Sequence, residues 1–294
     1  MTQYEIKTYH AGFEDEQERI GMEVAKNFIA PHQTNKERLK EVYSQPEFDP
    51  ETRLYAFSGD KMVGFLTSRV LDIGEDGIKK ANLTPPSVLK GHDKVRDLLF
   101  NKTIEVLKKK EVKQILSTFG PRCNISAEQA LKWGYKLAQQ NHYVYSIDFS
   151  GLDKVSTDKV VEFDFEKHLA SCVKIVAEEY EQSEDFAMRM FDNLKNNPNP
   201  KRHILIIEEN NEICAFTGIN PNNIDSTIGT VLGVYAKNED YMKQLLAKLN
   251  QINKQENIKI AQLGFTEESD IKQQKYSPIK TKLLGIGGQY IKEL

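Results

Sequence analysis

The chain has 294 residues, 40 of them basic and 43 acidic, with a net charge of −3. That balance argues against a general nucleic-acid-binding surface. No apolar run approaches the roughly 18 residues that span a bilayer, and the start, MTQYEIKTYH, lacks a signal-peptide core. Cys123, Cys172 and Cys214 are too few and too scattered for a disulfide framework or a Cys-x-x-Cys metal site. The remaining histidine spacings suit no metal either. The expectation is a soluble, cytoplasmic protein with no nucleic acid, membrane or metal among its partners, large enough for two ordinary domains.

In chain order, Tyr4 to Thr8 predicts a strand and Glu14 to Ile29 a helix, with Ile20, Val24 and Phe28 four apart and Pro31 beyond its end. Asn35 to Tyr43 predicts a shorter helix. Leu54 to Phe57 and Met62 to Leu71, joined by Ser58-Gly59-Asp60, read as a hairpin. The next strand ends at Pro85-Pro86. A polar turn, Gly91 to Lys94, follows, with Asp93 placed as N-cap of a helix from Val95 to Lys110 that carries Val95, Leu98, Leu99 and Val106 on one face. Gln114 to Phe119 is an apolar strand. Ser126 to Trp133 is a helix capped by Ser126, and His142 to Phe149 a further strand. Residues 151 to 159 are a short polar linker.

The same order then begins again. Val161, Phe163 and Phe165 alternate as a strand. Glu166 to Gln182 is a helix with Leu169, Cys172, Val173, Val176 and Tyr180 on its apolar side, and Phe186 to Leu194 is a second helix. His203 to Ile207 and Ile213 to Ile219 form a hairpin about Asn210-Asn211. Thr227 to Tyr235 is a strand, Tyr241 to Ile252 a helix, Ile258 to Phe265 a strand, and Leu284 to Ile291 the last. Hairpins mixed with strand–helix–strand crossovers give an α+β fold, a mixed sheet flanked by helices. Two such units are expected, 1–152 and 158–294, of about 150 and about 140 residues.

The stretch TPPSVLKGHDKVRDLL, from Thr84 to Leu99, carries the clearest chemistry. A strand, a turn and a helix start aim backbone N–H groups and the positive end of a helix dipole at one place, where His92, Lys94 and Arg96 add cationic or titratable side chains. A phosphate or pyrophosphate suits such a junction. Other features have two readings. Cys123, beside Arg122, stands where a thiol's pKa could fall, or is simply a packed free cysteine. His142-Tyr143-Val144-Tyr145 is most simply a half-buried strand. Gly285-Ile286-Gly287-Gly288 imitates a nucleotide loop, but no helix pattern follows it.

The doubled element order resembles tandem members of the GNAT N-acetyltransferase superfamily, as in mycothiol-synthase-like enzymes. The family's pyrophosphate loop, of pattern R/Q-x-x-G-x-G/A, falls on Gly91-His92-Asp93-Lys94-Val95-Arg96. Asn124 and Trp133-Gly134-Tyr135 match later family positions, and Leu284-Gly285-Ile286 matches the late glycine step of the second half. The resemblance implies an acyl-CoA-dependent N-acyltransferase using acetyl-CoA or another acyl-CoA, acting on a small-molecule or peptide amine. It implies cofactor contacts at Val88, Leu89, Gly91, His92, Lys94, Val95, Arg96 and Asn124. In the fold it implies, the strand His142-Tyr143-Val144-Tyr145 lies near where an acceptor substrate could enter. The family's general-acid Tyr position is Ala130 here and Thr281 in the second half, and its Glu base has no counterpart, so no catalytic residue is assigned. The second-half loop, Ala236 to Asp240, has no glycine and two carboxylates, which makes it a degenerate cofactor site. These departures also fit a non-catalytic module that binds a CoA-like ligand or a protein.

Overall fold

The computed structural model describes residues 3–179, 182–196, 199–265 and 279–294. Among these, two compact units form: 3–143 with Phe265 and 285–294, and 144–264 with 279–284. The first unit begins with β1 (Tyr4–Thr8), α1 (Glu14–Ala25) and α2 (Lys36–Tyr43), followed by the hairpin β2 (Arg53–Ser58) and β3 (Lys61–Val70). Then come β4 (Lys80–Val88), α3 (Lys94–Lys109), β5 (Gln114–Phe119), α4 (Ala127–Lys132) and β6 (Lys136–Ile147), whose residues from Val144 on belong to the second unit. The two-residue period of a strand sorts side chains to both faces. From β2, Leu54 and Ala56 join Val95, Leu99, Phe100 and Leu107 of α3 in one core. Tyr55 and Phe57 join Ile20 and Val24 of α1 in another.

Several elements differ from their sequence reading, each for a local reason. The first helix stops at Ala25 rather than Ile29. There Asn27 and Phe28 reach back only three residues, to Val24 and Ala25, and the Ala30 N–H turns away to donate to Pro121 O at 2.9 Å. Asp93 does not cap α3: it has helical dihedrals (φ −55°, ψ −31°) and no side-chain cap, and it pairs instead with Arg96 Nη1 at 3.2 Å. Asn35 and Ser126, in extended conformation, do cap their helices. The buried stripe of α3 is Val95, Leu99, Phe100, Thr103 and Leu107, whereas Leu98 is exposed. β6 starts at Lys136, six residues before its predicted start at His142, because its exposed first half, Lys136 to Gln140, shows no apolar alternation.

The second unit repeats the order. It contains β7 (Val160–Glu162), α5 (Phe165–Glu179), α6 (Glu184–Asn196), β8 (His203–Glu209), β9 (Glu212–Pro221), β10 (Ile228–Ala236), α7 (Glu239–Gln255) and β11 (Ile260–Phe265). β7 is shorter than the alternation Val161-Phe163-Phe165 predicts. Both phenylalanines pack instead against the helical core of α5 and α6, and Phe165 already begins α5. Tyr180, read as part of that helix face, lies outside the described residues. Asn210 and Asn211, at φ 53° and 62°, make the turn between β8 and β9. The strand order β11-β10-β9-β8-β7 parallels β5-β4-β3-β2-β1 in the first unit.

The chain ends in β12 (Thr281–Glu293). The sequence boundary near residue 150 would group this strand with the second unit, but packing sets Gly285–Leu294 with the first. There Gly288 to Glu293 pair antiparallel with Phe119 to Gln114 of β5, and β12 lies between β5 and β6. Tyr290 joins the α3 core. The Gly285-Ile286-Gly287-Gly288 run is thus strand, and its glycines allow backbones to meet. A Cβ on Gly287 would lie 2.7 Å from Phe119 O, and one on Gly288 2.5 Å from Gln139 O.

Candidate functional site

In the first unit, β4 and β5 run parallel only from Lys80↔Gln114 to Asn82↔Leu116, and beyond that they part. The β3–β4 register explains how. Phe65 faces Ser87 and Thr67 faces Thr84, so Pro85 and Pro86 together oppose the single residue Leu66. Proline cannot donate to a ladder and is at home at such a bulge. The strand therefore bends away just before the loop to α3. Leu89 N–H is bonded to Val63 O at 2.9 Å. By the alternation of an antiparallel ladder, the neighbouring Val88 N–H points away from β3, toward the gap left by β5.

The loop from Leu89 into α3 is open to a ligand. His92 N–H donates to Leu89 O, Val95 N–H to His92 O and Arg96 N–H to Asp93 O. Among the described residues, the N–H groups of Gly91, Asp93 and Lys94 donate to no protein acceptor. Gly91 takes φ +89°, and a Cβ there would meet no atom within 4 Å. Lys90 and Lys94 are exposed, and the Tyr4 hydroxyl shares a 3.1 Å hydrogen bond with His92 Nδ1. Three unbonded amides at the N-terminus of a helix of four turns, amid cations, fit a pyrophosphate. The corresponding start of α7 is filled by the protein itself: Asn238 Oδ1 accepts from Tyr241 N–H at 2.9 Å, Lys237 N–H donates to Cys214 O, and Glu239 and Asp240 occupy the first turn.

A cleft of about 740 Å³ opens where β4 and β5 part, walled also by α1, α2, the turn after β5, and single residues of β6 and β12. Of the residues predicted for the cofactor, Asn124 lines this cleft; Val88, Leu89, Gly91, His92, Lys94, Val95 and Arg96 do not, and Val88 and Val95 are buried. Other cleft walls, Gln17, His32, Tyr43, Arg53, Ser117 and Gln289, were not singled out from sequence, because they come from distant segments and carry no local signal. Gln17, 2 % exposed, accepts from Tyr55 Oη at 2.6 Å and bonds Tyr43 Oη, fixing the floor.

His142 is on the cleft wall, and its Nε2 is buried with no hydrogen-bond partner among the described residues. Burial, and then the Arg122 charge, hold both His142 and His32 below the ordinary imidazole value, which favours neutral rings. Because the folded state resists their protonation, the stability this confers is complete above pH 6.5 and is lost as pH falls below it. The unfolding midpoint is therefore expected to begin dropping as pH falls below about 6.5, above the range where most carboxylates titrate. A His32→Asn, His142→Asn variant should lose that slope; an unchanged slope would refute the assignment. Cys123 does not have a lowered pKa. Burial pushes it up, outweighing its bonds with Gly120 N–H and Ile125 O, so it is a packed thiol rather than a nucleophile.

No family sequence model matches the chain, and no curated protein matches it either. Solved structures do. The fold is that of the GNAT acetyltransferases, doubled along the chain. It is similar to a GCN5-related N-acetyltransferase from Sphaerobacter thermophilus, at 9% identity and TM-score 0.56 over 99% of this chain and 95% of that one. A tandem GNAT protein from the clavulanic acid biosynthesis pathway has TM-score 0.58 and 14% identity, over 99% and 98% of the two chains. A GNAT-family acetyltransferase from Colwellia psychrerythraea has 0.59 and 13%, over 98% and 100%.

Proposed function

We propose that the chain is an acyl-CoA-dependent N-acyltransferase whose cofactor sits in the first unit. The observation that carries this reading is the parting of β4 and β5 beside a helix start with unbonded amides, opening directly onto the cleft. The N–H groups of Gly91, Asp93 and Lys94 would hold the pyrophosphate, with Lys94 and Arg96 supplying charge. Asn124 would position the pantetheine arm in the cleft. Bound acyl-CoA supplies the thioester that an acceptor amine attacks. The Val88 N–H, facing the gap, would polarise the acyl carbonyl. His142, neutral and unpartnered at Nε2, would take the proton from the amine. The second unit, whose own helix start is capped, would not bind the cofactor. The acceptor would be a small molecule or a peptide.

A Lys94→Ala, Arg96→Ala variant is expected to bind acetyl-CoA at least tenfold more weakly by calorimetry while keeping the wild-type unfolding midpoint. Undiminished binding would place the pyrophosphate elsewhere. Acetyl-CoA binding without release of free thiol across an amine panel would favour the non-catalytic module, a reading supported by the buried Ala130 at the family's general-acid position.

A further inference from the structure

The chain as a whole is acidic, yet the cleft is not. None of the residues lining it is Asp or Glu, while Arg53 and Arg122 both do. Among the described residues, neither guanidinium has a carboxylate partner. Arg53 is the better fixed. It stacks over Tyr43 and Phe48, with its guanidinium carbon 5.5 and 5.4 Å from the ring centroids. Among the described residues, every hydrogen bond it makes leaves from Nη1, to Thr52 Oγ1 at 2.8 Å and to the Thr52 and Ser68 carbonyls. Its Nε–Nη2 edge is thus unused, and that edge matches a carboxylate in two-point contact. Arg122 is exposed on the turn after β5. The two histidines of the cleft are biased neutral and add no positive charge of their own.

Arg53 is the half-buried one of the two, and a partly desolvated cation without a counter-ion is stabilised by a ligand that brings the opposite charge. The cofactor's phosphates do not supply that charge in this reading, because no residue of the Gly91–Lys94 loop lines the cleft. We propose that the cleft takes an acceptor bearing a carboxylate, such as an amino acid or the C-terminal end of a short peptide, held by Arg53 and Arg122. The inference rests on the acyltransferase reading only for the group that reacts; carboxylate binding stands or falls by itself.

The test is calorimetric titration of the full chain with N-acetylglycine, N-acetylleucine and N-acetylglutamine, and with the primary amide of each, with and without CoA. The acids are expected to bind at least tenfold more tightly than their amides, the size of one or two charge-assisted hydrogen bonds. Arg122→Gln should shrink that ratio toward one and leave CoA affinity unchanged. Arg53→Lys, which keeps the charge and loses the planar fork, should shrink it as well, and guards against a misfolded Arg53→Gln. Acids and amides binding alike, or neither binding, overturns the proposal. So does a loss of CoA affinity in either variant with the acid preference intact, since the arginines would then serve the cofactor. An intact acid preference in a protein that fails to bind CoA sinks the acyltransferase reading and upholds the carboxylate site.

Discussion

Deleting Gly285–Leu294 is expected to unfold the first unit and leave the second folded. The deleted residues supply the strand between β5 and β6, with six consecutive pairs to β5 from Gly288↔Phe119 to Glu293↔Gln114. They also supply Tyr290, 9 % exposed and edge-on to Phe119 with centroids 5.1 Å apart. Losing the Tyr290 side chain alone should cost about 3–5 kcal/mol. That is already a large share of the roughly 5–15 kcal/mol that holds a domain folded, and the deletion also leaves one edge of β5 unpaired. Trp133, the only tryptophan, reads the outcome, because it stacks on Phe100 within the first unit at 4.4 Å. Its emission should move to that of an exposed indole while the far-ultraviolet helix signal falls only in part. Wild-type Trp133 emission in the truncated chain would show that the first unit does not depend on its last strand.

Gly120→Ala is the second change expected to be severe. Gly120 takes φ +145°, and its Cβ would lie 2.4 Å from Gly287 Cα and 3.1 Å from Ile286 O. Both are backbone atoms of a paired strand, so no flexible side-chain end can give way. Backbone strain and forced repacking together should cost about 2–5 kcal/mol. The turn that begins at Gly120 carries Arg122 and Asn124 on the cleft wall, so ligand binding should weaken along with stability. Gly12→Ala is the control, since it has φ +99° but nothing within 4 Å of a Cβ and bears only the conformational penalty. Denaturant midpoints followed at Trp133 compare the two. The close-approach argument fails if Gly120→Ala is no more destabilised than Gly12→Ala.

Of the candidate site, the sequence showed the part that is local. The run from Thr84 to Arg96 was legible because prolines, a glycine and a helix period fall within a dozen residues, and turn chemistry acts over that range. Arg53, His32, Gln17 and Gln289 reach the same cleft from segments hundreds of residues apart at the extreme, and nothing in their neighbours marks them. His142 was visible as one member of a half-buried strand that the family resemblance sets near an acceptor's entry, with no role of its own. That its Nε2 is buried without a partner depends on what packs around it. The Gly285–Gly288 run was legible as a signal but not in meaning, since the Gly120 and Gln139 backbones that require it lie far away in the chain.

What the sequence determined by itself is the succession of elements and its doubling. Apolar periodicity, hairpin turns at Gly59 and Asn210-Asn211, and caps such as Asn35 and Ser126 are interactions between residues a few positions apart, and they survive into the structure. Tertiary structure decided which unit the last strand joins, that Asp93 pairs with Arg96 instead of capping α3, and that arginines without carboxylates share a cleft with neutral histidines. Each of these is settled by contacts between distant segments or by burial, and a burial energy has no local sequence signature.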